Sequence, residues 1–257
     1  MLKVIDVSQW NRVSSWTNVS KNADAVIIRA GYRGYGSAGT LATDLRFKAH
    51  IDGASKVGMP IGIYWCSQAV SEIEARQEAA YCHDLIRNYK ITYPVYLDSE
   101  KMSPSGTGRA DTLSKSERTK YGLAFCEAMK IYGYTVGLYC SESWYTANID
   151  GAAFKKAGFE TWIAKYSTAK PRFECDAWQY TSSGTITGIM GNVDISHFYK
   201  AYGEQKPDAI DVLIQNAIED IGLNSPDLWE DILRGKRTAT AGNVKALMEK
   251  YHKAVVK

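Results

Sequence analysis

The sequence is short of the residue types on which metal and disulfide chemistry depend. Its 257 residues include four histidines and five cysteines. His50, His83, His197 and His252 form no H-x-x-x-H pair, so the ligand spacing of a zinc-binding helix is absent. His197, next to a predicted strand end, is expected to be structural. Cys66, Cys82, Cys126, Cys140 and Cys175 are odd in number and contain no C-x-x-C pair. That excludes a complete set of intramolecular disulfides and a zinc ribbon. Cys66 and Cys140 lie in apolar, strand-like runs, where a buried free thiol is the expected state. Unpaired thiols point to synthesis in a reducing compartment. No metal and no cofactor is expected.

Charge of one sign and long hydrophobic runs are missing as well. The net charge is +3, with no clustered basic stripe, so nucleic acid is not an expected partner. The small positive excess suits an anionic polymer only weakly. No stretch has transmembrane length, and Met1–Asp6 leads straight into a strand without the pattern of a signal peptide. Membrane insertion is therefore not expected, and a target outside the membrane would have to be reached by another route. The glycines of Gly34-Tyr35-Gly36-Ser37-Ala38-Gly39 have no following Lys-Ser/Thr, so they read as a flexible loop beside a site, not a phosphate cradle.

What is present is an alternation of apolar runs with amphipathic stretches. Eight strands are predicted: Leu2–Val7, Ala25–Gly31, Pro60–Cys66, Tyr93–Glu100, Thr135–Cys140, Phe159–Tyr166, Asp176–Thr181 and Gly191–Ile195. Helices separate the early ones. Leu45–Val57 is closed by Gly58. Ser71-Glu72-Ile73-Glu74 and Ser114-Lys115-Ser116-Glu117 are capping boxes that open two more, ending near Tyr89 and Gly133. Later strands are joined by shorter links. The pattern predicts an α/β fold, a TIM-like β/α barrel with a helix-poor second half. After residue 205 the period becomes helical, with stretches at Asp208–Gly222, Ser225–Gly235 and Val244–Val255. A three-helix module of about 50 residues is near the lower limit for folding alone. It is expected to dock on the barrel or on a second copy of itself.

Four acids stand at the ends of apolar runs. In Tyr93-Pro94-Val95-Tyr96-Leu97-Asp98-Ser99-Glu100, residues two apart share a strand face. Asp98 and Glu100 would then repel, and one pKa should rise. Asp6 and Asp194 also lie at or near the C-terminal ends of predicted strands. In a parallel barrel those ends form the face that carries active sites, and the first and eighth strands are neighbours. Such a cluster suits glycoside hydrolysis, which needs one protonated carboxyl and one ionised partner. Tyr32, Tyr64, Tyr139, Trp162, Tyr166, Trp178 and Tyr180, near the same ends, would offer stacking faces to sugar rings.

These residues carry a family resemblance. Ile5-Asp6-Val7-Ser8-Gln9-Trp10, Val26-Ile27-Ile28-Arg29-Ala30-Gly31 and Pro60-Ile61-Gly62-Ile63-Tyr64 are followed in order by Tyr96-Leu97-Asp98-Ser99-Glu100, Trp162-Ile163-Ala164-Lys165-Tyr166, Ala177-Trp178-Gln179-Tyr180 and Asn192-Val193-Asp194-Ile195-Ser196. Over residues 1 to about 202 the chain resembles glycoside hydrolase family 25, the N-acetylmuramidase lysozymes of bacteria and their phages. The resemblance implies a flattened, irregular β/α barrel over residues 1–205 that cleaves the β-1,4 bond between N-acetylmuramic acid and N-acetylglucosamine in bacterial peptidoglycan. It implies Glu100 as general acid, with Asp98, Asp6 and Asp194 at the base of the cleft. Two routes stay open: direct attack by an aspartate, or attack by the substrate's own N-acetyl group with Asp98 steering it. Arg29, Tyr64, Tyr139, Trp162, Lys165 and Gln179 are the implied substrate contacts. The family often carries Tyr-His where this chain has Tyr64-Trp65, so any role of that histidine is absent. The implied protein is a phage or prophage endolysin, made in the cytoplasm without a signal peptide and reaching the wall after holin-type or lysis-dependent release. The alternative is a non-catalytic wall-binding protein on the same barrel, against which the presence of all four acids argues. Residues 206–257 lie outside the family domain and resemble helical modules of other wall hydrolases, with wall binding, self-association or a stabilising cap as their expected roles.

Overall fold

Val4-Ile5, Val26-Ile27-Ile28 and their counterparts are β-branched runs that bury both faces, as strands of a covered sheet must. In the computed structural model, which describes residues 1–101, 108–203 and 225–255, they form strands β1 (Leu2–Val7), β3 (Ala25–Arg33), β5 (Ile61–Cys66), β6 (Val95–Asp98), β7 (Val136–Ser141), β8 (Glu160–Ala164), β9 (Ala177–Gly184) and β11 (Val193–Phe198). The sheet order is β1-β11-β9-β8-β7-β6-β5-β3, and β1 also pairs with β3, closing an eight-stranded barrel. Strand β4 (Leu41–Thr43) adds antiparallel to β3, and β2 (Arg12–Val13) pairs with β10 (Ile189–Met190) in a small separate ribbon.

The barrel departs from the all-parallel expectation at one strand. β11 runs antiparallel to both β9 and β1. The link from β9 to β11 is too short for the crossover of a dozen or more residues that a parallel pair requires. Gly188 and Gly191, both at positive φ, turn the chain within it.

Helices cover the first half: α1 (Trp16–Val19), α2 (Phe47–Lys56), α3 (Glu72–Ile86) and α4 (Lys115–Ile131). Both capping serines work as predicted. Ser71 Oγ accepts from the Glu74 amide at 3.2 Å and Ser114 Oγ from the Glu117 amide at 3.3 Å. Glu117 Oε2 reaches back to the Ser114 amide at 2.9 Å. Only the short α5 (Trp144–Ala147) and α6 (Gly151–Lys156) separate β7 from β8, and no helix lies between β8 and β11. The second half is helix-poor, as expected.

The interior is filled from alternate positions. Val4, Ala25, Ile27, Tyr96, Trp162, Ala177 and Phe198 form one buried cluster. Tyr96 and Trp162 lie 5.1 Å apart by ring centroid, and Trp162 and Phe198 lie 6.1 Å apart. This aromatic plug is the floor on which the next inward layer stands.

Cα packing divides the chain into two units, Met1–Lys130 with Tyr134–Gln205, and Lys206–Lys257 with Ile131–Gly133. In the second unit, helices Pro226–Leu233 and Ala241–Val255 are seen. Proline stands in the first turn of the former, and Gly235 follows it at positive φ. The helix predicted over Asp208–Gly222 lies outside the described residues. Leu228, Trp229, Leu247 and Lys250 line a small groove between the two helices. No described helix is long and apolar enough to cross a membrane.

Candidate active site

Period two carries each interior strand from the plug to the rim. Two residues beyond Val4 comes Asp6, two beyond Ile27 comes Arg29, two beyond Tyr96 comes Asp98, and two beyond Ala177 comes Gln179. On antiparallel β11 the count runs backward, from Phe198 through Ser196 to Asp194. Asp194 therefore reaches the site from the start of its strand, not from the end that sequence reasoning assumed. It is the register partner of Asp6, so roughly 4.5–5.5 Å separates their Cα atoms.

These residues line an open cleft of about 280 Å³. Asp6, Arg29, Tyr64, Asp98, Glu100, Tyr139, Trp162, Gln179 and Asp194 all contribute to it. Trp162 does so only as floor. It is 2 % exposed, and its Nε1 donates to Ser196 Oγ at 3.0 Å. Lys165 does not reach the cleft. It follows the inward Ala164 and turns outward, where its Nζ meets Glu142 Oε1 at 3.2 Å and the Lys170 carbonyl at 3.0 Å. The expected cation of the substrate wall is instead a partner in a half-buried ion pair outside the cleft. Trp178 and Tyr180 also have outward parity. Trp178 Nε1 donates to the Lys165 carbonyl at 2.8 Å, and Tyr180 stacks on His197 at 4.3 Å. Tyr32 and the loop Gly34–Gly39 are absent from the lining.

Three lining residues escaped the sequence reading as site residues: Ser8, Trp10 and Cys66. Trp10 is 79 % exposed on the turn after β1, and its signal was a tryptophan in a polar turn directly behind a strand-end aspartate. Tyr166, 58 % exposed, is the other open aromatic of the cleft.

A polar network fixes the walls. Gln179 Nε2 donates to Asp6 Oδ2 at 2.9 Å, while its Oε1 accepts from Tyr139 at 2.8 Å and Tyr166 at 3.1 Å. Both ends of the amide are engaged, so Gln179 ties Asp6 to Tyr139 and Tyr166. Arg29 Nε donates to Asp44 Oδ2 at 2.6 Å, and its Nη2 is buried without a partner among the described residues. Cys66 Sγ donates to Asp98 Oδ2 at 3.0 Å, and Asp98 Oδ1 is buried without a partner among the described residues.

All four carboxyls are pushed upward, and burial is the largest cause in each. For Asp6 the charge of Asp194 adds to it and the Gln179 hydrogen bond opposes. For Asp98 the charge of Glu100 adds, while the Cys66 hydrogen bond and the Arg29 charge oppose. Glu100 is raised further by Asp194 and restrained by Arg29. Asp194 rises through burial, against a backbone hydrogen bond. Mutual repulsion along one strand, the cause expected from sequence, is thus secondary. Glu100 lies beyond the end of β6 and its residue surface is exposed, yet its carboxyl stands among the cleft walls and loses enough water there to be raised, whereas Asp98 is 2 % exposed. The pair are a buried acid and an accessible one.

Residues 5–189 match the model of glycosyl hydrolases family 25. The autolytic lysozyme of Clostridium acetobutylicum is 25 % identical over 162 residues, covering 62 % of this chain and 46 % of that protein. The modular autolysin LytC of Streptococcus pneumoniae, solved with a synthetic peptidoglycan ligand, superposes with a TM-score of 0.68 at 28 % identity, covering 77 % of this chain and 46 % of its own. A bacterial lysozyme from Streptomyces coelicolor shares the fold, with a TM-score of 0.64 at 24 % identity over 78 % of this chain and 93 % of its own. The chain therefore spans about half the length of the first two of these relatives.

Proposed function

The chain belongs to glycosyl hydrolase family 25, and from that premise we propose that it is a peptidoglycan muramidase cleaving the β-1,4 bond between N-acetylmuramic acid and N-acetylglucosamine. The observation that carries the reading is the convergence of Asp6, Asp98, Glu100 and Asp194 on one open cleft, with the accessible Glu100 held toward its protonated form. Glu100 gives its proton to the glycosidic oxygen as the C1–O bond breaks. Asp98 Oδ1, unpartnered among the described residues, marks a carboxyl in want of a donor. The N–H of the substrate's acetamido group, bonded to the Asp98 carboxyl at the cleft floor, would aim the acetamido carbonyl oxygen at C1. This favours the route in which that oxygen forms the new bond to C1. Glu100, now ionised, then takes a proton from the water that opens the intermediate. Asp6 and Asp194 stand at the same floor, and whichever of these neighbouring carboxyls ionises supplies negative charge beside the developing oxocarbenium ion. Trp10 and Tyr166 offer ring faces to the sugars.

Digestion of purified walls tests this. Mass spectrometry of the products is expected to show new reducing ends on N-acetylmuramic acid. Wall binding without any release would favour the non-catalytic reading. A setting in which the wall is reached from the cell interior accords with five free cysteines.

Catalysis is assigned to residues 1–205. Residues 206–257 are assigned to wall retention or self-association. Sedimentation and wall pull-down of the full chain beside residues 1–205 are expected to show fewer copies per particle or weaker retention for the shorter form. Identical behaviour would leave only a stabilising cap.

A further inference from the structure

Cys66 ends β5 and Asp98 ends β6, and the parallel register sets them side by side. Their side chains share the inward face. The thiol is buried, and its Sγ–H points at Asp98 Oδ2 over 3.0 Å. Burial and the neighbouring carboxylates hold the thiol pKa well above its ordinary value, so it stays a protonated donor. The other buried thiols have no such contact: Cys126 Sγ only approaches the Gly137 carbonyl at 3.9 Å. Among the described residues Cys66 is the one hydrogen-bond donor that reaches the Asp98 carboxyl.

We propose that Cys66 is a positioning residue: its S–H fixes the Asp98 carboxyl by one oxygen and so holds the orientation of that carboxyl at the cleft floor. The role in turnover rests on the muramidase reading above; the hydrogen bond does not. A carboxylate with one oxygen tethered cannot rotate about its terminal torsion without breaking a charge-assisted bond in a dry site. The tether therefore fixes the plane of the carboxyl at the cleft floor. Other groups also bear on Asp98. Asp6 on β1, Arg29 on β3 and Tyr64 on β5 face it, as does Glu100. Tyr139, its register partner, faces it from β7, while Cys140, one residue on, points to the opposite face and feels its charge only through the sheet. Of these only Arg29 is a cation, and its Nε is engaged by Asp44.

The test pairs Cys66→Ser, which keeps a donor, with Cys66→Val, which keeps the approximate volume and removes it. Ser is expected to hold kcat within about twofold of wild type, and Val to lower kcat by about tenfold at unchanged KM. Loss of the hydrogen bond to the ionised carboxyl raises the Asp98 pKa. The acid limb of the Val profile should therefore move to higher pH, and the Ser limb should stay near wild type. Infrared spectroscopy supplies a readout independent of turnover. The S–H stretching band lost in Cys66→Val should lie at lower frequency than the bands of the other buried thiols. A Val variant with wild-type kcat and pH profile would overturn the proposal, and so would a Cys66 band at the free-thiol frequency. A wild type that releases no reducing ends would refute the muramidase reading instead, while the infrared band still decides the tether.

Discussion

Glu100→Gln is expected to lower kcat for wall hydrolysis by about a thousandfold, within the range that general acids contribute, and to leave wall binding intact. The amide has the shape of the acid but no proton to give at the pH of the reaction. Glu100 makes no structural hydrogen bond among the described residues and lies outside the strands, so the fold has little to lose. A substrate whose leaving group needs no proton separates this role from others. On an aryl glycoside with an acidic phenol, Glu100→Gln should recover much of its rate in the bond-breaking step. Full wall activity in this variant would move the acid to another carboxyl. The wild-type rate should also fall as pH rises past the raised Glu100 pKa, since the protonated form is then lost. Arg29 works against that upward shift, so Arg29→Met should carry the alkaline limb to higher pH.

The acids were legible in the sequence because each interrupts an apolar run where a buried strand has no reason to place a charge. Asp6, Asp98 and Glu100 could be placed on one rim from strand direction alone. Asp194 was placed there by an incorrect route, since β11 is antiparallel and the residue opens its strand. Strand direction depends on pairing, which a linear pattern does not contain. Side-chain parity explains the other differences. Lys165, Trp178 and Tyr180 sit one residue from inward positions, and a one-residue step moves a side chain to the opposite face. Gln179 was legible as a site residue but not as one with both ends of its amide engaged. Cys66 could not be singled out at all, because a thiol ending an apolar run looks like core. Only the register that sets it beside Asp98 gives it a partner.

Asp98→Asn is expected to lose activity and gain stability together. Without the carboxylate charge, the substrate amide loses its charged acceptor and the oxocarbenium ion a nearby countercharge. About a hundredfold in kcat is the expected loss, of the size seen when one preorganised electrostatic group is removed. Stability moves the other way. Burial raises the folded-state pKa of Asp98 well above its ordinary value. Its stabilising contribution is therefore complete below the unfolded-state pKa near 3.9. It is lost as pH rises through the folded-state pKa, because the folded protein must then hold a charge that the unfolded chain carries freely. Asn never ionises, and its Oδ1 can still accept from Cys66. The variant should thus match wild type in acid and exceed it at neutral pH by about 1–2 kcal/mol, a typical gain for relieving one strained site. For a chain of this size that is a Tm higher by about 3–6 °C. Thermal unfolding of both proteins across the pH range checks the sign. A Tm gap that narrows with rising pH would mean that the buried carboxyl is stabilised as an anion, and the strain attributed to the cleft would not exist.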